Sequence, residues 1–269
     1  MPLRVFLSIS LLLLIVLPGC EKPFSYSPFE ARVETRFQNT TAKNLERLRT
    51  LDTLTSPVFK IALISDTHYH FDNLRAAVDD INKRGECTFV IATGDITENG
   101  LMKEFEIFHN IMSNLRSPYV TVIGNHDYLA NGGEVYSQMF GAFNYTFTFH
   151  GVRFIMFDNV IWESNKSADY SWLANALSAT DENEFIQHKI VFSHIPPFDG
   201  QLAENKGFFH SMLARNDVKL SVHGHRHTYY NDHYFGDDIS YVTVGSPQHR
   251  SYAMLTITQD QLVVEQISF

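Results

Sequence analysis

Five short apolar runs in this chain each end in side chains that bind metals or move protons. Ile61 to Ile64 leads to Asp66 and His68, Phe89 to Ala92 to Gly94 and Asp95, and Tyr119 to Ile123 to Gly124, Asn125, His126 and Asp127. Ile190 to Phe192 leads to His194, and Leu220 to Val222 to His225 and His227. Together they supply the carboxylates Asp66 and Asp95, the amide Asn125, the imidazoles of His68, His194, His225 and His227, and a further His126-Asp127 pair. Oxygen and imidazole donors without thiolates suit Mn, Fe, Zn or Ni rather than copper-thiolate or iron-sulfur centres. Seven ligands are too many for one tetrahedral ion, whereas two ions sharing a bridging carboxylate fit the count. Two such ions about 3.5–4 Å apart can clamp a phosphoryl oxygen and acidify a bridging water. With two carboxylates against two divalent cations, about +2 of charge remains to attract a phosphate even on an acidic protein. The bland alternative, loop residues satisfying their own backbones, would have to hold seven times in one order.

Strands alternating with single helices must position these residues. Helical spacing predicts helices over Asn73 to Arg84, Leu101 to Leu115, Tyr170 to Leu177 and Phe208 to Ala214. Strands separated by single helices imply βαβ units and a parallel core sheet. After Phe143 the pattern becomes antiparallel: Tyr145 to Phe149, a His150-Gly151 turn, and Val152 to Phe157. Tyr241 to Val244, Ala253 to Thr258 and Leu262 to Ile267 are strand-like as well. The expectation is an α/β fold, a four-layer sandwich of two mixed β-sheets flanked by helices, with ligands beyond the carboxyl ends of the strands.

The ordered set Asp66-Thr67-His68, Gly94-Asp95 with Gly100, Gly124-Asn125-His126-Asp127, His194 and Gly224-His225-Arg226-His227 resembles the calcineurin-like metallophosphoesterases over about residues 59 to 249. The resemblance implies a domain over residues 56–269 and two metal ions, Mn, Fe or Zn. It implies that Asp66, His68 and His227 hold one ion, that Asn125, His194 and His225 hold the other, and that Asp95 bridges them. His126 would stabilise the phosphate and protonate the leaving oxygen, with Asp127 orienting its ring, and the nucleophile would be metal-bound hydroxide. In this register His223 is a packed residue beside the ligands. The tyrosine ligand to ferric iron of purple acid phosphatases has no counterpart after Asp95, where Ile96, Thr97 and Glu98 stand; Tyr69 does not occupy that position.

Gly94 to Gly100 and His194-Ile195-Pro196-Pro197 are similar to the branch containing class III cyclic-nucleotide phosphodiesterases. This implies hydrolysis of a small phosphodiester, with a phosphomonoesterase on nucleotides or sugar phosphates as the alternative. A non-catalytic metal-binding surface lipoprotein is the alternative of another class, and it would be marked by loss of His126 or a ligand; none is lost. Candidate substrate contacts are Asn99, Tyr128, Phe198 and Arg226, each equally open to simple loop packing.

Arg4 precedes an uncharged apolar run from Val5 to Leu17, then Pro18, Gly19 and Cys20. This reads as a signal peptide over residues 1–19, and Leu17 to Cys20 resembles a bacterial lipobox in which Cys20 is lipidated. Ordinary cleavage and retention as an N-terminal anchor are the alternatives. The expectation is an extracytoplasmic, membrane-anchored protein of the bacterial periplasm or cell surface. Residues 20–55 would then form the lipidated cysteine, a tether and a peripheral helix spaced by Leu45, Leu48 and Leu51. A 269-residue chain with 44% hydrophobic residues can bury a sizeable core. Its formal charge of -9 and pI of about 5.8 offer no basic field for nucleic acid. Cys20 and Cys87 are the two cysteines, with no disulfide framework.

Overall fold

The computed structural model describes residues 27, 29–51, 58–179 and 185–269. The expected signal segment and Cys20 lie outside the described residues. Among those described, no helix is long and apolar enough to cross a membrane.

The helices are α1 (Thr40–Leu51), α2 (Phe71–Arg84), α3 (Met102–Met112), α4 (Gly132–Phe140), α5 (Tyr170–Ser178) and α6 (Lys206–Arg215). The strands begin with β1 (Phe59–Ile64), β2 (Cys87–Thr93), β3 (Tyr119–Val122), β4 (Tyr145–Phe149) and β5 (Val152–Met156). They continue with β6 (His188–Phe192), β7 (Leu220–His223), β8 (Tyr230–Asp232), β9 (Ser240–Thr243), β10 (Ser251–Ile257) and β11 (Leu262–Ser268). They form one sheet in the order β11-β10-β1-β2-β3 and another in the order β4-β5-β6-β7-β9-β8. β1, β2 and β3 are parallel, as are β5, β6, β7 and β9, while β4, β8, β10 and β11 pair antiparallel with their neighbours.

Alternation along the strands explains the four layers, because successive side chains point to opposite faces. On β1, Ile61 and Leu63 face the other sheet and, with Phe89, Ile91 and Val122 of their own sheet, form one core with its Phe154, Ile190 and Val222. Ala62 and Ile64 face outward, onto Leu74, Ala77, Val78 and Ile81 of α2 and Phe105 and Phe108 of α3. The second sheet repeats this arrangement: Ile155, Val191 and Tyr241 face Leu173 and Leu177 of α5 and Phe209 and Leu213 of α6. Each fully buried Leu, Ile or Phe contributes about 1.5–3 kcal/mol. The two sheets therefore present the ends of β1, β2 and β3 and the ends of β6 and β7 along one rim.

Three details differ from the sequence expectations. Helix α1 is less peripheral than expected, because Leu48 is buried in the inter-sheet core. Helix α4 falls where no helix is expected; it opens on Gly132-Gly133 and is short, though Val135, Tyr136, Met139 and Phe140 are buried at helical spacing. Strand β8 is a three-residue exposed edge, too short to show a pattern.

Cys87 sits at the start of β2 with its Sγ donating to Phe89 O at 2.9 Å. Burial pushes its thiol up to about 12, so the reactive thiolate is scarce at neutral pH. We expect iodoacetamide at pH 8 to label the Cys87 peptide of the native chain roughly 100-fold more slowly than that of the unfolded chain. Equal labelling rates, read by mass spectrometry, would contradict this placement.

Candidate functional site

At the ends of β1, β2 and β7 the chain reverses abruptly, and the reversing residues are expected ligands themselves. Asp66 (φ 52°), His68 (φ 46°), Asp95 (φ 49°), His225 (φ 72°) and His227 (φ 59°) all lie in the left-handed region. That region suits Asp and His better than most residues but still costs about 1–3 kcal/mol each. Hydrogen bonds between the loops hold these conformations. Asp66 N donates to Gly94 O at 3.1 Å and His68 N to Asp95 O at 3.2 Å. His225 N donates to the Asp66 carboxylate at 2.9 and 3.1 Å, and Ser246 Oγ donates to Asp66 O at 2.7 Å. Close approach also explains two glycines: a Cβ on Gly94 would lie 2.4 Å from His194 Nδ1, and one on Gly124 would lie 2.2 Å from Asp95 N.

These reversals bring all seven expected ligand residues together. Ligand atoms within 4.8 Å of one another come from Asp66, His68 and His227, and from Asp95, His194 and His225. A third such group joins His68, Asp95 and His126, so Asp95 belongs to both sides. Its Oδ1 accepts from His126 N at 2.9 Å, while its Oδ2 lies 3.6 Å from His68 Nε2 and 3.1 Å from His194 Nε2. Asn125 Oδ1 lies 3.0 Å from His225 Nδ1, which puts the amide oxygen on the second side. His68 Nε2 and His227 Nε2 are 3.2 Å apart on the first.

The donor set fits metal ions on the evidence of one buried atom. His194 Nδ1 is 2.7 Å from Thr93 O, an acceptor, so Nδ1 carries the proton and Nε2 presents a lone pair. That Nε2 is buried without a hydrogen bond and faces the Asp95 oxygen. Two electron-rich atoms turned toward each other in a dry site need a cation between them. Burial alone would lower the His194 pKa, but the Asp95 carboxylate outweighs it and raises the pKa to about 10, which shows how strongly this pair draws positive charge. Burial lowers His68 to about 4, so it stays a neutral ligand at pH 7.

His126 is half-buried at the junction of the two groups. Its Nδ1 lies 2.7 Å from the carbonyl oxygen of Glu98, which must accept a proton there and leaves Nε2 free. Here the structure corrects one expectation. Asp127 does not orient the His126 ring; its carboxylate accepts from Gly124 N, Ile96 N, Thr97 N and Thr97 Oγ1. With an adjacent backbone fixed by these four donors, Asp127 ties the β2 and β3 loops together while Glu98 O holds the ring.

Three carboxylates outside the expected set surround the candidate ligands. Glu98 Oε2 lies 2.8 Å from His68 Nδ1, Glu163 Oε1 accepts from Asn125 Nδ2 at 3.1 Å, and Asp199 Oδ2 lies 3.7 Å from His225 Nε2. Such partners fix which atom of a ligand faces the ion. Glu98 alone was within reach of sequence reasoning, since it follows Asp95 in the same loop. His223 is fully buried, held by Ser193 Oγ at 3.1 Å and Ser221 Oγ at 2.9 Å, as its packed role requires.

The expected substrate contacts divide. Asn99 Nδ2 is engaged by Glu104 Oε1 at 3.1 Å and by the Tyr69 hydroxyl. The Tyr128 hydroxyl donates to Asp158. Both side chains are thus occupied in holding loops. Arg226 is half exposed, 3.6 Å from Asp199 Oδ2 and 5.1 Å from the centre of the Phe198 ring, so Arg226 and Phe198 remain at an accessible wall.

Residues 59–229 match the model of the family described as calcineurin-like phosphoesterase. A Xenorhabdus bovienii protein named a probable cyclic nucleotide phosphodiesterase is 23% identical over 184 residues, covering 61% of this chain and 70% of that one. The human serine/threonine-protein phosphatase CPPED1 is 28% identical over 130 residues, covering 44% of this chain and 41% of its own length. Among solved structures, the purple acid phosphatase PPD1 of yellow lupin superposes with a TM-score of 0.62 at 15% identity, over 80% of this chain and 52% of that one. GAP50, the anchor in the inner membrane complex of Plasmodium, superposes with a TM-score of 0.60 at 15% identity, over 78% and 84%. At these identities the two structures speak for the fold.

Gly124→Ala tests the geometry directly, because its only cost is the new Cβ against Asp95 N and Oδ1, both at 2.2 Å. We expect the variant to stay folded by circular dichroism and to bind Mn at least tenfold more weakly, about 1.4 kcal/mol. Undiminished affinity by calorimetry would contradict the packing described.

Proposed function

The chain belongs to the calcineurin-like phosphoesterase family, and on that premise we propose that it is a two-metal phosphoesterase that hydrolyses a small phosphodiester. The observation that carries the reading is the Asp95 Oδ2 shared between the His68 and His194 sides. Asp66, His68 and His227 would hold one ion, Asn125, His194 and His225 the other, and Asp95 both. When bound, the ions would supply the positive charge that polarises a phosphoryl group and makes water acidic enough to attack it. Their identity among Mn, Fe and Zn depends on supply as well as on ligands.

The chain's own residues do the rest. Glu98 O fixes the His126 tautomer, so Nε2 is the atom available to stabilise a phosphoryl oxygen and protonate the departing one. Burial opposes charge on His126, but Asp95 and the Glu98 carbonyl outweigh it and raise its pKa, which favours the protonated form an acid needs. Glu163 turns the Asn125 amide so that its oxygen faces inward.

The diester preference is supported by the Xenorhabdus relative and by the Gly94 to Gly100 and His194 to Pro197 segments. The human phosphatase relative favours the second reading, a phosphomonoesterase. We further propose an extracytoplasmic, lipid-anchored enzyme, on the apolar run to Leu17 and the Leu17 to Cys20 pattern.

Hydrolysis of bis-p-nitrophenyl phosphate and p-nitrophenyl phosphate, with Mn and with chelator, tests the reading. Turnover should vanish with chelator, and the diester should be the faster substrate; a faster monoester would select the second reading. His126→Ala should lower kcat by roughly 10²–10⁴-fold with metal content unchanged. Metal-loaded protein without turnover of either ester would contradict the proposal.

A further inference from the structure

One cleft beside the candidate centre has no part in the chemistry above. It holds about 410 Å³ and is lined by Phe198, Arg226, Thr228, Tyr229, Tyr230 and Tyr234. Four of the six are aromatic. Phe198 and Tyr234 stack with their ring centres 4.7 Å apart at 28°, and the Tyr229 hydroxyl is tied to Val264 O at 2.9 Å, giving a fixed wall. Tyr230 and Tyr234 are 46% and 41% exposed, so large aromatic faces stand in water.

Two short links join the wall of the cleft to the centre. Arg226 lies between the ligand candidates His225 and His227 in the chain, with its guanidinium over the Phe198 ring. Asp199, next to Phe198, reaches both Arg226 and His225, at 3.6 and 3.7 Å. A molecule whose phosphate meets the centre would therefore extend its nearer substituent past Arg226 toward the tyrosines.

We propose that this cleft is a substrate subsite for a planar aromatic or heteroaromatic ring carried by the non-reacting part of the phosphoester, with Arg226 at the boundary between ring and phosphate. The proposal rests on the phosphoesterase reading and adds to it the class of substrate. The volume suits a small molecule rather than a peptide. Flat, polarisable walls and a guanidinium plane favour stacking, and a ring gains from stacking what an alkyl group of equal area does not. The Thr228 hydroxyl and Arg226 also make the lining too polar for an alkyl chain alone. A cleft of similar size between α2 and α3 is lined by Arg75, Asp79, Asn110 and Asn114 and has no such link to the centre.

Calorimetric binding of adenosine 5′-monophosphate and ribose 5-phosphate tests the subsite, since the first carries adenine where the second has its anomeric hydroxyl. The full-length, Mn-loaded chain is used in the His126→Ala background, which slows hydrolysis during titration. The nucleotide should bind about tenfold more tightly. Tyr234→Ala should bring the two ligands within about twofold of each other, and Tyr234→Phe, which keeps the ring, should restore the preference. Equal affinities in the parent, a preference that survives Tyr234→Ala and Phe198→Ala alike, or failure of both ligands to bind would each overturn the subsite. Because the readout is binding, a chain that hydrolyses nothing yet prefers the nucleotide would refute the enzymatic reading and keep the subsite.

Discussion

The arrangement depends on how one carboxylate is divided. Asp95 spends Oδ1 on the backbone N–H of His126 and leaves Oδ2 between His68 and His194. Its fully buried setting would raise its pKa, but His194 and its other imidazole neighbours outweigh burial and hold it down at about 2, so it is ionised throughout the physiological range. A buried, permanent negative charge flanked by imidazole lone pairs is a stable arrangement only with positive charge between them. The same bond that frees Oδ2 also sets the backbone at His126, coupling the candidate metal side of the site to the proposed proton donor.

Around that carboxylate, strain and restraint are balanced. Five ligand candidates occupy left-handed backbone at the ends of β1, β2 and β7, a total that would be unaffordable in an isolated loop. It persists because the loops bond to each other: Asp66 to Gly94, His68 to Asp95, His225 to Asp66, and Asp127 to the Ile96 and Thr97 amides. These bonds join both sheets, so the site can assemble only once the inter-sheet core has brought the strand ends to one rim. Folding energy from Leu63, Ile91, Phe154 and Ile190 thus supports conformations that the ligand residues would not hold alone.

Much of this was legible in the sequence, because the side chains that do chemistry stand directly after apolar runs of strand length. Alternation along β1 and helical spacing in α2 and α3 suffice to read the layers, and the hairpin turn at His150-Gly151 is read from its glycine. What escaped was tertiary. Asn125 and Glu163, or His225 and Asp199, are brought together by folds of chain with no local signature, and no spacing rule pairs them. Adjacency in sequence pairs Asp127 with His126, whereas the four donors to its carboxylate come from residues 124, 96 and 97. Adjacent residues on a tight turn point apart, so adjacency was a poor guide to contact. The Tyr128 and Asn99 side chains likewise look free in sequence but are engaged by Asp158 and Glu104.

The most direct test of the shared carboxylate is the number of metal ions bound per chain, measured by elemental analysis of the native protein and of Asp95→Asn. Two ions per chain falling to one or none in the variant is the predicted result, since the amide removes the charge on which both sides draw. Two ions retained by Asp95→Asn, or one ion in the native chain, would contradict it.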